Sequence, residues 1–287
     1  MKEVWWNELI DTKRTTIIHA GIFCGILFLF ILLSRIFKID AYQIYMMISD
    51  LPDSLKLAVV YLHKIEVTNS VRCLLLAESV LNIPVLFYAA LLPVHIIGEE
   101  NENGIMAFIC NGPFGRKDIF SGKLFACCTN YTLVVAVMFL TGVIMTAPGA
   151  DFTHSLLVCA RVFGMLLVMG LFLIHIVAFY CAVKSAYTRS RDVVFSWMMF
   201  NTVVGYFYLI LMAAKDVFEA KGEIVELNEV IHLMFYVLQR LSAVQLCSPG
   251  EVYVEFPWIL ITVFLSLLII IGNLSGMIYE KRDFGWE

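Results

Sequence analysis

The chain has 287 residues, 61% hydrophobic and 15% charged, with a formal net charge of −4. Soluble domains average about 45–50% apolar and about 25% charged residues. The apolar surplus here stands in long blocks rather than amphipathic stripes, which excludes an ordinary soluble core and predicts an all-α integral membrane protein.

Six runs are long enough to cross about 30 Å of hydrocarbon, which takes roughly 20 helical residues. They lie near 15–36, 73–97, 124–147, 156–183, 193–214 and 257–279, and the whole chain reads as one transmembrane domain. A spanning backbone must satisfy its own hydrogen bonds, so each run is predicted as a helix. Lys2, Lys13 and Arg14 precede the first run. That run is too long for the apolar core of a cleavable leader and no small-residue cleavage site follows, so it is expected to remain as an anchor.

Between the first two spans, 37–72 carries "LPDSLKLAVVYLHK", where Pro52 and Asp53 mark a helix start. Its apolar stretch is too short to cross, which predicts an interfacial helix. The second span holds Glu78, Asn82 and Pro84. Glu78 and Asn82 are four apart and share a helix face.

The second and third spans are joined by "GEENENGIMAFICNGPFGRKDIFSGK". Glu99, Glu100 and Glu102 leave the membrane first, at the end of a short helix where the dipole favours negative charge. Ile105, Met106, Phe108 and Ile109 then fall on one face of that helix. Gly112 and Pro113 end it, and Gly115 opens a second turn, "RKDIFSGK", that runs into the third span. The expected form is an amphipathic helix, a sharp bend and a basic helix start at the membrane surface.

The loop "TAPGADFTHS" after the third span carries no Lys or Arg. The fourth span contains Arg161, Gly164 and Gly170, the glycines read as sites of close helix packing. Lys184, Arg189 and Arg191 follow it. Asn201 lies in the fifth span and Asn273 in the sixth. Between these two spans, 215–256 contains "EVIHLMFYVLQRLSAVQL", with Ile231, Phe235, Leu238 and Leu241 at helical spacing. It is expected to lie on the outer leaflet or cap the bundle.

Basic residues orient the chain. They gather at the N-terminus, in 99–123, in the loop after the fourth span, and in the tail at Lys281 and Arg282. With six spans these segments share a side, which places both termini in the cytoplasm.

Polar groups inside spans mark pathways by default, so Glu78, Asn82 and Asn201 are candidate pathway residues. The competing reading puts Glu78 and Arg161 near span ends, pairing or snorkelling at the interface. The eight cysteines show no CxxC or Cys/His spacing and read as small hydrophobes. Cys127 and Cys128 point to different faces of one helix. His95, His154, His175 and His232 are isolated, so no metal site is expected. No G-x4-GK-[ST] exists, because Gly122-Lys123 is followed by Leu124, so the chain is not expected to bind ATP itself.

The pattern at 99–123 runs from acidic residues through Gly104, a short apolar helix, Pro113, two residues, Arg116 and Lys117 to Gly122-Lys123. It resembles the coupling segment of type-2 ABC transporter permeases, which lies between the second and third of six spans. The tail "YEKRDF" at 279–284 resembles the ending that follows that family's last span. Residues 1–14, with "WWNELIDTKR", resemble its amphipathic N-terminal helix, with Trp5 and Trp6 at interfacial depth. The likeness covers the whole chain by topology and carries sequence detail at 99–123 and 279–284. The family usually has Thr where this chain has Ile105, and often Ser where it has Gly115.

The resemblance implies half of an ATP-driven exporter, with Glu99, Glu100, Glu102, Gly104, Phe108, Pro113, Phe114, Arg116 and Lys117 as the ATPase-coupling set. Phe108 and Phe114 would be knobs in a groove of a separate cytosolic ATPase. Arg116 and Lys117 would pair with acidic residues there, and the three glutamates would do the converse. Two ATPase copies would hold the ATP and Mg²⁺, and a second permease, identical or paralogous, would complete the pathway. No cofactor on this chain and no nucleic-acid partner are expected. The alternatives are a membrane sensor or resistance subunit that transports nothing, and an intramembrane enzyme.

Overall fold

A computed structural model of the chain describes residues 1–36, 69–99, 114–149, 152–183, 190–220, 233–234, 237, 242–247, 252 and 256–281. Among these residues every regular element is helical. In chain order the helices are α1 (Lys2–Ile36), α2 (Asn69–Pro93), α3 (Arg116–Thr146), α4 (Phe152–Val183), α5 (Ser190–Ala220), the single turn α6 (Ala243–Leu246) and α7 (Trp258–Lys281). Five of them, α1 to α4 and α7, are long and apolar enough to cross a membrane. The chain is a multi-pass membrane protein. The interfacial helix expected in 37–72 and the helical face at Ile231, Phe235, Leu238 and Leu241 lie outside the described residues.

The outer surface of the bundle is what lipid requires. Ile17, Val80, Ile144, Ile259 and Ile269 all stand exposed, Ile259 at 84%. Water would penalise such a surface and hydrocarbon does not. For the same reason, lipid gives no hydrophobic drive between helices, so association rests on close packing and interhelical hydrogen bonds.

Several local devices supply them. In α1, the N-terminal amphipathic segment and the first span form one unbroken helix, with Glu3 in the first turn and Arg35 in the last, each favourable to the helix dipole. Its inward stripe is Phe23, Leu27 and Ile31, four residues apart. α1 packs on α3 and α2, while α4 sits centrally against α2, α3 and α7. At the α3–α4 contact the Tyr131 ring occupies the place where a side chain on residue 170 would stand. The Tyr131 hydroxyl donates to the Leu166 carbonyl at 2.8 Å. Gly170 is therefore a packing glycine as expected. Gly164 has open space around it, so the same expectation fails there.

α7 meets α4 through Phe172 and Phe264, ring centroids 4.6 Å apart, and α5 meets α2 through Phe87 and Phe195 at 5.7 Å. α2 carries Pro84 inside and Pro93 at its end, and continues as a wide π turn, Val94–Gly98. That turn brings Gly98 against Ser190 and Cys181, where a Cβ would lie 3.0 Å from Ser190 Oγ. The end of α2 is thereby wedged into the corner between α4 and α5.

Candidate functional site

Two groups of polar residues stand out, one at an end of the bundle and one inside it. The first lies where the chain leaves α2 and returns into α3. α3 starts at Arg116 behind Gly115, which is extended (φ −64°, ψ 144°) and supplies no side-chain cap. The Ile119 amide donates to the Gly115 carbonyl at 3.1 Å. The expected helix start at "RKDIFSGK" is thus present and continuous with the third span.

From that first turn inward, α3 is fastened to both chain ends. A Cβ on Gly122 would lie 2.9 Å from the Val4 Cβ, so glycine here lets the first turn of α1 sit directly on α3. One residue on, Lys123 is 1% exposed. Its ammonium forms an ion pair with Glu8 and donates to the Ile96 carbonyl at 3.3 Å, tying α1, α2 and α3 together with one side chain. Trp5 Nε1 donates to Thr129 Oγ1 at 3.2 Å, and Asn130 Nδ2 donates to Thr12 Oγ1 at 2.7 Å. Phe120 stacks on Tyr279 near the end of α7, with centroids 4.9 Å apart. The stem of Lys117 runs beside Gly276.

Of the coupling set, the structure places Glu99, Phe114, Arg116 and Lys117. Glu99 is bonded to His95 Nδ1 at 2.9 Å, both side chains remaining accessible. Phe114 is exposed, and Arg116 is half-buried while Lys117 is exposed. Glu100, Glu102, Gly104, Phe108 and Pro113 lie outside the described residues. The Glu8–Lys123 pair was not foreseen. Lys123 belonged to the motif as a basic residue, but nothing in local spacing pointed to a partner in the first helix.

The second group is Glu78, Asn82 and Asn201, the candidate pathway residues. Glu78 in α2 is 1% exposed, and neither carboxylate oxygen has a hydrogen-bond partner among the described residues. One turn on, Asn82 donates through Nδ2 to the Cys247 carbonyl at 3.3 Å, and its Oδ1 has no partner there either. Asn201 Oδ1 accepts from the Ala243 amide at 3.0 Å and from Ser242 Oγ at 3.2 Å. Asn82 and Asn201 thus hold opposite ends of the 242–247 turn, one from α2 and one from α5. Two of the three residues clamp a turn, and the third is a buried acid.

Among the described cysteines, Cys73, Cys127, Cys159, Cys181 and Cys247 are buried, while Cys24 and Cys128 are half-buried, Cys128 beside the buried Cys127. The adjacent pair therefore does face two ways. Cys110 lies outside the described residues. No protein-family model and no curated protein matches this chain.

Proposed function

We propose that the chain is the permease subunit of an ATP-driven ABC exporter, with residues 99–123 as its coupling element. The supporting observation is the pattern at 99–123 combined with its surroundings. Its two flanks, the end of α2 and the start of α3, are bound to the first turns of α1 by Lys123 and to the end of α7 by Phe120. A displacement of the segment would therefore move four membrane helices as one body, rather than a slack loop.

In this reading α5 is the fifth of six spans, the N- and C-termini are cytoplasmic, and the protein sits in the cell membrane of a prokaryote. The exposed Phe114, with Phe108, docks into a separate ATPase, and Arg116 and Lys117 face acidic groups there. Two ATPase copies bind ATP and Mg²⁺. Their closure pushes the coupling elements of two permease chains and switches the pathway between inward and outward openings.

Affinity purification in mild detergent, followed by identification of every retained chain, tests the reading. Two copies of an ATP-binding subunit should accompany two permease-type chains. A preparation that transports or confers resistance with no such subunit would contradict it.

A further inference from the structure

A groove of 720 Å³ runs between α1, α2 and the first turn of α5. That lies within the roughly 300–1,000 Å³ of ordinary ligand sites. Its lining is graded along α2. Phe23, Ile83, Phe87 and Leu91 form an apolar stretch, and His95, Glu99 and Arg191 stand at the other end. From Ile83 to Glu99 the helix advances roughly 24 Å, about the depth of one leaflet with its headgroup layer.

The charged end holds one carboxylate and one guanidinium. The Glu99 carboxylate is already bonded to His95. The Arg191 guanidinium has no hydrogen-bond or ion-pair partner among the described residues. A guanidinium presents a planar fork that matches a phosphate, and basic groups between membrane helices recruit anionic headgroups. An occupant apolar for most of its length with an anionic group beside Arg191 fits this lining.

We propose that this groove holds one anionic membrane phospholipid, an acyl chain lying along Phe23, Ile83, Phe87 and Leu91 and the phosphate on Arg191. The site requires only that the chain be embedded in a bilayer and does not depend on the exporter reading, although Glu99 belongs to both.

Native mass spectrometry of the detergent-purified protein, titrated with phosphatidylglycerol and with phosphatidylcholine of identical chains, tests it. Wild type should retain one phosphatidylglycerol per chain, roughly fivefold more strongly than phosphatidylcholine, the effect of one basic residue near an anionic headgroup. Arg191→Ala should reduce phosphatidylglycerol to the phosphatidylcholine level, and Ile83→Trp should displace both. Glu99→Gln should keep or widen the preference. Equal retention of the two lipids by wild type, or an unchanged preference in Arg191→Ala, would overturn the proposal. So would a lipid-free dimer that Ile83→Trp splits into monomers, which would assign the groove to a second copy of the chain. Because Arg191 is exposed, its variant reads the site even where the core substitution fails to fold.

Discussion

At the scale of single residues, Lys123 does what a lysine seldom does. Its charge is taken almost wholly from solvent, and it persists because Glu8 and the Ile96 carbonyl replace its water. Removing one member of such a pair leaves the other charge buried and uncompensated, at a cost of roughly 3 kcal/mol. Lys123→Ala should therefore lower stability by about that amount, measured by detergent unfolding of the purified protein. The double variant Glu8→Met with Lys123→Met should recover much of the loss, since a packed apolar pair often equals a buried ion pair. A double variant whose loss equals the sum of the Glu8→Met and Lys123→Met losses would show that the two side chains do not interact. Glu78 has no such compensation among the described residues, and its neighbour Asn82 is committed to the 242–247 turn.

At the scale of elements, the α3–α4 contact is set by one ring against one glycine. Gly170→Val should destabilise the bundle by about 1–3 kcal/mol through overpacking, because the Tyr131 ring fills the space and its hydroxyl is held by Leu166. Tyr131→Leu in the same background should be less harmful than in wild type, and the coupling is measurable as a double-mutant cycle in thermal unfolding. Much of this level was legible in advance. The apolar runs near 73–97, 124–147, 156–183 and 257–279 became α2, α3, α4 and α7 with ends shifted by a few residues, because hydrocarbon thickness imposes both length and helicity. The long-range ties were not legible. Glu8 with Lys123, Asn82 with Cys247 and Asn201 with Ser242 join residues far apart in sequence, and no local period encodes such pairs. Nor did the sequence distinguish Gly164 from Gly170, since only the neighbouring helix decides which glycine is crowded. The π turn at Val94–Gly98 likewise answers to packing at the α4–α5 corner rather than to any residue signal.

At the scale of the whole molecule, Lys123, Phe120 and Gly98 gather the N-terminus, the exits of α2 and α7, the starts of α3 and α5 and the end of α4 at one end of the bundle. The basic residues cluster at these same segments, which assigns that end to the cytoplasm in the proposed topology. Alkaline phosphatase fused after Phe114 should then be inactive in cells, and the same enzyme fused after Gly149 active. The reverse pattern would turn the coupling segment outward and remove the exporter reading.

The most direct measurement replaces Phe108 and Phe114 with aspartate and asks what still copurifies in mild detergent. The account predicts that the permease inserts with normal yield and elution while the ATPase is lost, because the two apolar anchors proposed to enter the docking groove become charges. Full retention of the ATPase by that double variant would contradict the coupling role of residues 99–123.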